Sequence, residues 1–186
     1  MALFKFGRKE SGAPVIGSET LVPFLNGFSI EVMPRTAEKV DDFTALLPAG
    51  TRVYIAHIDG TPIDEMVATA ARLRREGFEP MPHFPARIIK DKATLTEWVT
   101  RYKAEADVKQ GLLLAGGVDK PQGDFHSSMQ LLESGAFDGF ERLHVAGHPE
   151  GNKDIDPDGS DKLVMDALRW KQAFSARTDA KMALAT

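Results

Sequence analysis

The chain has 186 residues, a formal net charge of −4 and no cysteine, so disulfides and thiolate metal sites are excluded. The length fits one domain with a substantial core. No basic stripe suggests a nucleic-acid partner, no apolar run could span a membrane, and the N-terminus lacks the apolar region of a signal peptide, so we expect a cytoplasmic protein.

Residues 1–25 are interpreted as a polar N-terminal arm that contains glycine and proline, and residues 26–186 as a catalytic domain of alternating strands and helices. The predicted strands are Phe28–Met33, Arg52–Ile58, Glu79–Phe84, Gly111–Ala115, Arg142–Ala146 and Lys181–Thr186. The predicted helices are Thr36–Leu47, Pro62–Glu76, Lys92–Ala106, Phe125–Ser134 and Ser160–Ala176. This alternation predicts right-handed βαβ units and a parallel sheet.

The positions of polar residues favour a barrel over an open sheet. No Gly-x-Gly-x-x-Gly follows the first strand, which weakens the interpretation as a dinucleotide-binding open sheet. Polar side chains follow nearly every predicted strand: Glu31, His57, His83, Asp119 and His148. In a (β/α)8 TIM barrel they would surround one mouth, where the active sites of this fold lie. We therefore predict an α/β fold of this barrel type.

Only about six strand–helix units are present in the chain, whereas a complete barrel has eight and needs about 250 residues. We therefore expect a partial barrel, cut from a longer protein after its sixth strand. Such a partial barrel would expose unpaired strand edges, which promote association with other chains.

The first strand contains Glu31 in an apolar segment that ends at Pro34. Charged side chains are almost never buried without a partner, so this carboxyl group is expected to face a cleft. A partly desolvated carboxyl group keeps its proton more readily and can act as an acid at neutral pH. From this segment alone, a strand-edge glutamate that points to water is an equally good interpretation.

Two further segments could contact a ligand. His83 lies between Pro82 and Pro85, which fix the direction of the chain, and it is either a packed core histidine or a ligand contact. Gly117 follows the fourth strand, where glycine lets the backbone approach a flat or anionic ligand. Asp119 could then influence the electronics of a bound ring, although an ordinary loop is the commoner explanation.

His144 and His148 alternate along the fifth strand and raise the question of a metal. The five histidines are scattered without the spacing of a metal site, so we predict none. On the last predicted helix, Lys171 could meet phosphate groups, and Trp170 could belong to the core or to a cofactor-binding wall.

Together these segments resemble the methylenetetrahydrofolate reductase family, flavin-dependent (β/α)8 enzymes of one-carbon metabolism, from about Gly27 to Thr186. The first-strand glutamate with its Pro-Arg-Thr turn corresponds to Phe28–Thr36, and the third-strand Pro-His corresponds to Pro82-His83. The remaining similar motifs are Asp119–Gly123 after the fourth strand, Ala146–Gly151 at the fifth, and the lysine-bearing helix segment Leu168–Lys171.

The resemblance implies an oxidoreductase that interconverts 5,10-methylenetetrahydrofolate and 5-methyltetrahydrofolate, with FAD as cofactor and NADH or NADPH as electron donor. Glu31 would be the general acid that protonates a folate nitrogen, and Asp119 the catalytic carboxylate beside the flavin and the pterin. The implied cofactor-binding residues are Tyr54, His57, His83, Gly117, Asp119, His148, Asn152 and Lys171, with Lys171 nearest the phosphates. The expected partner is the folate substrate, with no nucleic acid or membrane, and a homo-oligomer is left open.

The chain departs from the family pattern at several positions. Gly117-Val118 replaces an arginine–glycine pair, His148 a tyrosine and Asn152 a histidine, so we expect a divergent member. Two alternatives are a barrel lyase or aldolase with a Schiff-base lysine, and a non-catalytic partial barrel that binds a partner through its open edge. No lysine lies inside the first five predicted strands, which weakens the lyase alternative.

Overall fold

The computed structural model describes residues 18–148, 150–178 and 180–185. The strands are β1 Ser29–Val32, β2 Arg52–Ile55, β3 Glu79–Pro85, β4 Gln110–Leu114, β5 Arg142–Ala146 and β6 Met182–Ala185. The helices are α1 Ser18–Phe24, α2 Pro34–Ala37, α3 Ile63–Arg75, α4 Lys92–Ala106, α5 Ser128–Glu133 and α6 Lys162–Thr178, with a 3-10 turn at Ala86–Ile88. No helix in these ranges is both long and apolar enough to cross a membrane.

The six strands form one parallel sheet in the order β1-β2-β3-β4-β5-β6. Each strand therefore pairs with the next one in the chain, and the sheet curls into a half-barrel. The prediction of an α/β fold with a parallel sheet is confirmed, and the fold is compatible with a partial TIM-like barrel.

The convex face of the sheet packs against the helices and forms the core. Strand residues alternate between the two faces, so every second residue meets the helices. The buried residues of this face are Val53, Ile55, Phe84, Leu113, Leu143 and Val145. They pack with the apolar side of α3, which includes Met66 and Leu73, and with Leu95 and Tyr102 of α4.

The predicted helix Thr36–Leu47 is wrong. Only α2 is helical there, and the chain then runs through turns to Leu47. Arg72 of α3 explains the difference, because its guanidinium donates to the carbonyl oxygens of Ala37 at 2.9 Å and Val40 at 2.6 Å. A longer helix would use those carbonyl groups for its own backbone hydrogen bonds.

Elsewhere, the predicted boundaries differ from the observed ones by three residues or fewer. Strand β2 ends at Ile55 instead of Ile58, and α5 begins at Ser128 instead of Phe125. The side chain of Gln130 accepts hydrogen bonds from the backbone N–H groups of His126 and Ser127, which fixes the start of α5. Within the predicted arm, residues 18–24 form α1, and residues 1–17 lie outside the described ranges.

Candidate active site

The concave face of the half-barrel carries polar side chains. Glu31 on β1 is in register with Tyr54 on β2. Leu112 on β4 is in register with His83 on β3 and with His144 on β5. Because the residues flanking them in sequence face the helices, these four side chains share the concave side. The sheet therefore collects one acid, one phenol and two imidazoles on one surface.

Glu31 and His83 approach each other at the carboxyl end of the sheet. Oε2 of Glu31 lies 3.2 Å from Nε2 of His83, and 57% of the Glu31 side chain is exposed against 9% for His83. The two groups are not oriented for a hydrogen bond, and Nε2 of His83 has no hydrogen-bond partner among the described residues. Burial, and then the nearby His57, lower the pKa of His83 to about 4, so the imidazole is neutral at neutral pH. Glu31 thus stands at the cleft without a counter-charge from His83.

Tyr54 and His144 form a part-buried pair on the same face. The Tyr54 hydroxyl lies 2.6 Å from Nδ1 of His144. Burial raises the pKa of Tyr54, and burial with the charges of Arg52 and Arg142 lowers the pKa of His144 to about 4. Both groups are therefore neutral at neutral pH, and the tautomer of His144 decides whether the hydroxyl donates to Nδ1 or an Nδ1–H donates to the hydroxyl oxygen.

His57 lies in the loop after β2 and is held in place by two contacts. Its Nε2 donates to the carbonyl oxygen of Thr61 at 3.1 Å, and its ring lies 4.7 Å from the ring of Trp98. Burial lowers the pKa of His57, so its ring is neutral. The buried Nδ1 is then an acceptor with no partner in the described part of the chain.

A second group of site residues lies at the end of β5. Lys171 of α6 is only 8% exposed, and among the described residues its Nζ makes one long contact, of 3.5 Å, to the carbonyl oxygen of Ala146. Burial lowers the pKa of Lys171. A cavity of about 470 Å³ here is lined by Lys171, Arg87, His148 and Trp170, among others. Two cations, Arg87 and Lys171, and one carboxylate, Asp166, line it, so its formal charge is net positive.

His148 and Asn152 are brought together beside this cavity. Nδ1 of His148 lies 3.4 Å from the side-chain nitrogen of Asn152, and His148 has a positive φ of 48°. β5 has ended before His148, so this residue does not continue the alternation that placed it on the same side as His144.

Asp119 and Gly117 lie in the loop after β4. No hydrogen bond or ion pair of the Asp119 side chain is found within the described ranges. Arg87 anchors this loop, since its backbone N–H donates to Ala115 at 2.9 Å and its side chain to the carbonyl oxygen of Val118 at 3.3 Å. A Cβ atom at Gly123 would clash with the carbonyl oxygen of Lys90, so that part of the loop is closely packed.

The sequence interpretation missed three residues of this surface: His144 as a partner of Tyr54, Trp98 as the wall of His57, and Arg87 as the anchor of the loop. For His144 a signal was present. It stands between Leu143 and Val145, and this alternation marks it as facing the concave side. The contacts of Trp98 and Arg87 depend on how helices and loops pack, which no local pattern reveals.

No protein-family model matches this sequence. The similarity to methylenetetrahydrofolate reductase therefore rests on the short motifs quoted above, and the roles that it implies stay predictions. Among the described residues, no group of three or more histidine, aspartate or glutamate side chains is placed to hold a metal ion.

Proposed function

We propose that this chain carries the acid and cofactor-binding residues of a flavin-dependent oxidoreductase of the TIM-barrel type. The reaction is the interconversion of 5,10-methylenetetrahydrofolate and 5-methyltetrahydrofolate in the cytoplasm, with NADH or NADPH as electron donor. The observation that carries the proposal is Glu31, a half-exposed carboxyl group on the concave face, 3.2 Å from a buried neutral imidazole.

In this proposal Glu31 supplies the proton. An oxygen of its carboxyl group donates to a folate nitrogen, and the resulting carboxylate regains a proton from solvent, to which the side chain is open. His83 supports this cycle because a neutral imidazole does not hold the carboxylate as an ion pair. The edge position of Glu31 also leaves room for a substrate on its solvent side.

The residues near the end of β5 fit an anionic cofactor. A buried ammonium group with one long hydrogen bond is under-partnered, and a phosphate would supply the missing charge. Lys171 would hold the phosphates of FAD, with Arg87 as a second cation of the same cavity. When bound, the flavin supplies the hydride. The residues that would orient the flavin are His57, Gly117, Asp119, His148 and Asn152. Tyr54 and His83 remain predicted cofactor contacts on the concave face.

The decisive experiment separates flavin binding from proton donation. We expect the purified protein to take up FAD and the nicotinamide donor to reduce the bound flavin. Glu31→Gln should retain flavin uptake and its reduction but lose folate turnover by at least about 100-fold, as expected for removal of a general acid. Glu38→Gln, an exposed glutamate after α2, is the matched control and should behave like the wild type.

Two results would contradict the proposal. A protein that takes up no flavin at any concentration removes the cofactor. If Glu31→Gln loses flavin reduction together with folate turnover, Glu31 binds the cofactor and is not the proton donor.

A further inference from the structure

The hydrogen bond between Tyr54 and His144 crosses the concave face from the second strand to the fifth. The two residues are 90 positions apart in the sequence and lie on β2 and β5, with β3 and β4 between them. In a flat sheet, three strand spacings would separate their backbones by about 14 Å, and side chains perpendicular to the sheet would stay apart. A contact of 2.6 Å therefore requires the curled form of the sheet.

The surroundings of Tyr54 link this bond to the candidate acid. The Tyr54 ring meets the His83 ring edge-on, with centroids 6.0 Å apart, and the His144 ring at 5.8 Å in the same manner. Tyr54 is also the register partner of Glu31 on the edge strand. A change in its position would be transmitted to both members of the Glu31–His83 contact.

The two ends of the bond hold different parts of the site. Tyr54 is attached to the strands that carry Glu31 and His83, and His144 is on the strand that ends at Ala146, the contact of Lys171. The bond thus spans the interval between the candidate acid and the basic cavity.

We propose that Tyr54 and His144 are a positioning pair whose hydrogen bond fixes the curl of the sheet. The pair sets the separation between the Glu31–His83 contact and the cavity at Lys171. The Tyr54 hydroxyl is committed to His144, so its contribution to ligand binding is made through the shape of the sheet. This role requires no particular cofactor.

The first test is spectroscopic. Two-bond 15N–1H correlations of the histidine rings should show a neutral His144, and Tyr54→Phe should shift its Nδ1 resonance, because Nδ1 loses its hydrogen-bond partner in either tautomer. His144→Asn identifies the signals. An Nδ1 resonance that is the same in the wild type and in Tyr54→Phe would overturn the proposal, because Nδ1 would then not be bonded to Tyr54.

The second test measures the curl directly. The chain has no native cysteine, so Lys39→Cys and Ala173→Cys, both at exposed positions, allow two spin labels at the two ends of the sheet. Double electron–electron resonance should give a longer and broader distribution of the distance between the two labels in Tyr54→Phe than in the wild type.

The chain offers a matched control, because Tyr102 is its other tyrosine. Tyr102 is fully buried, and its hydroxyl has no hydrogen-bond partner among the described residues. Tyr102→Phe should leave the distance unchanged, whereas Tyr54→Phe should change it and also lower the melting temperature by about 3 °C, as expected for loss of one hydrogen bond in a chain of this size.

Rescue at His144 distinguishes a positioning role from simple packing. The Oδ1 of asparagine lies close to the place of Nδ1, so His144→Asn should keep the wild-type distance, whereas His144→Leu should lose it. If Tyr54→Phe and His144→Leu both keep the wild-type distance, or if Tyr102→Phe changes it equally, the proposal fails. None of these measurements needs flavin, so their outcome is independent of the proposed function.

Discussion

The middle of the sheet and its β6 end differ in how completely they are packed. Phe84 of β3 is fully buried and meets the rings of Tyr102, Phe137 and Phe140 edge-on. At the other end, Leu184 of β6 is 57% exposed, and large apolar side chains of α6 also face solvent.

The candidate site uses both regions for different purposes. The imidazoles of His83 and His144 stand on well-packed strands, whereas the acid stands on the edge strand β1, whose residues are exposed or half-buried. The under-partnered Lys171 stands on α6, in the less packed part. Ligand-binding elements are commonly drawn from the less stable parts of a protein, so this division agrees with a rigid imidazole-bearing side and an adaptable anion-binding side.

The largest expected effect comes from the same substitution made in each region. Phe84→Ala removes a fully buried ring and should lower the free energy of unfolding by about 3–5 kcal/mol. Phe174→Ala removes a partly buried ring that stacks on Trp170 in α6, and should cost about 1 kcal/mol. Urea denaturation measures both, and equal losses would show that the two regions are packed alike.

The middle of the sheet was also the part that the sequence predicted best. Helix α4 and strand β5 have the predicted bounds, since each is marked by a clear start and a clear periodicity. The side chain of Asp91 accepts from the Thr94 N–H at 2.7 Å and fixes the start of α4. The segment after α2 was mispredicted because Arg72, which lies 32 residues beyond Val40, occupies its carbonyl groups.

The candidate site was predictable where the alternation of a strand decides which way a side chain points. The side of the sheet on which Glu31 and His83 lie follows from this rule. The 3.2 Å between them does not, because the register sets Glu31 level with Met81 and β2 separates their strands. Asp119 was expected at the same mouth; Arg87 holds its loop, and the role of Asp119 beside a flavin stays a prediction. Loop positions of this kind depend on tertiary contacts that have no local signature.

The next effect tests the buried imidazoles by pH. His83 and His144 have a pKa of about 4 in the folded protein and 6.5 in the unfolded chain. Between these values the unfolded chain binds more protons, so the free energy of unfolding should fall as the pH drops from 6.5 to 4 and level off above 6.5. Each histidine accounts for up to about 3 kcal/mol.

Urea denaturation across this pH range measures the slope, and His126→Gln, which removes a histidine outside the concave face, is the control. Burial also lowers the pKa of His57, so a double variant His83→Gln with His144→Asn should reduce the slope, and adding His57→Gln should flatten it. A slope as steep in the double variant as in the wild type would place the acid-sensitive groups elsewhere.

The smallest effect is expected at Lys171, and its sign distinguishes a binding group from a structural one. Lys171→Met keeps the length of the side chain but removes an ammonium group that is buried with one long hydrogen bond. The free energy of unfolding should therefore rise by about 1 kcal/mol, while affinity for FAD or for inorganic pyrophosphate falls. Lys162→Met, at an exposed position of the same helix, should change neither by a measurable amount. A loss of stability in Lys171→Met would mean that the ammonium group stabilises the β5–α6 end, and the contrast between a rigid side and a binding side would then be lost.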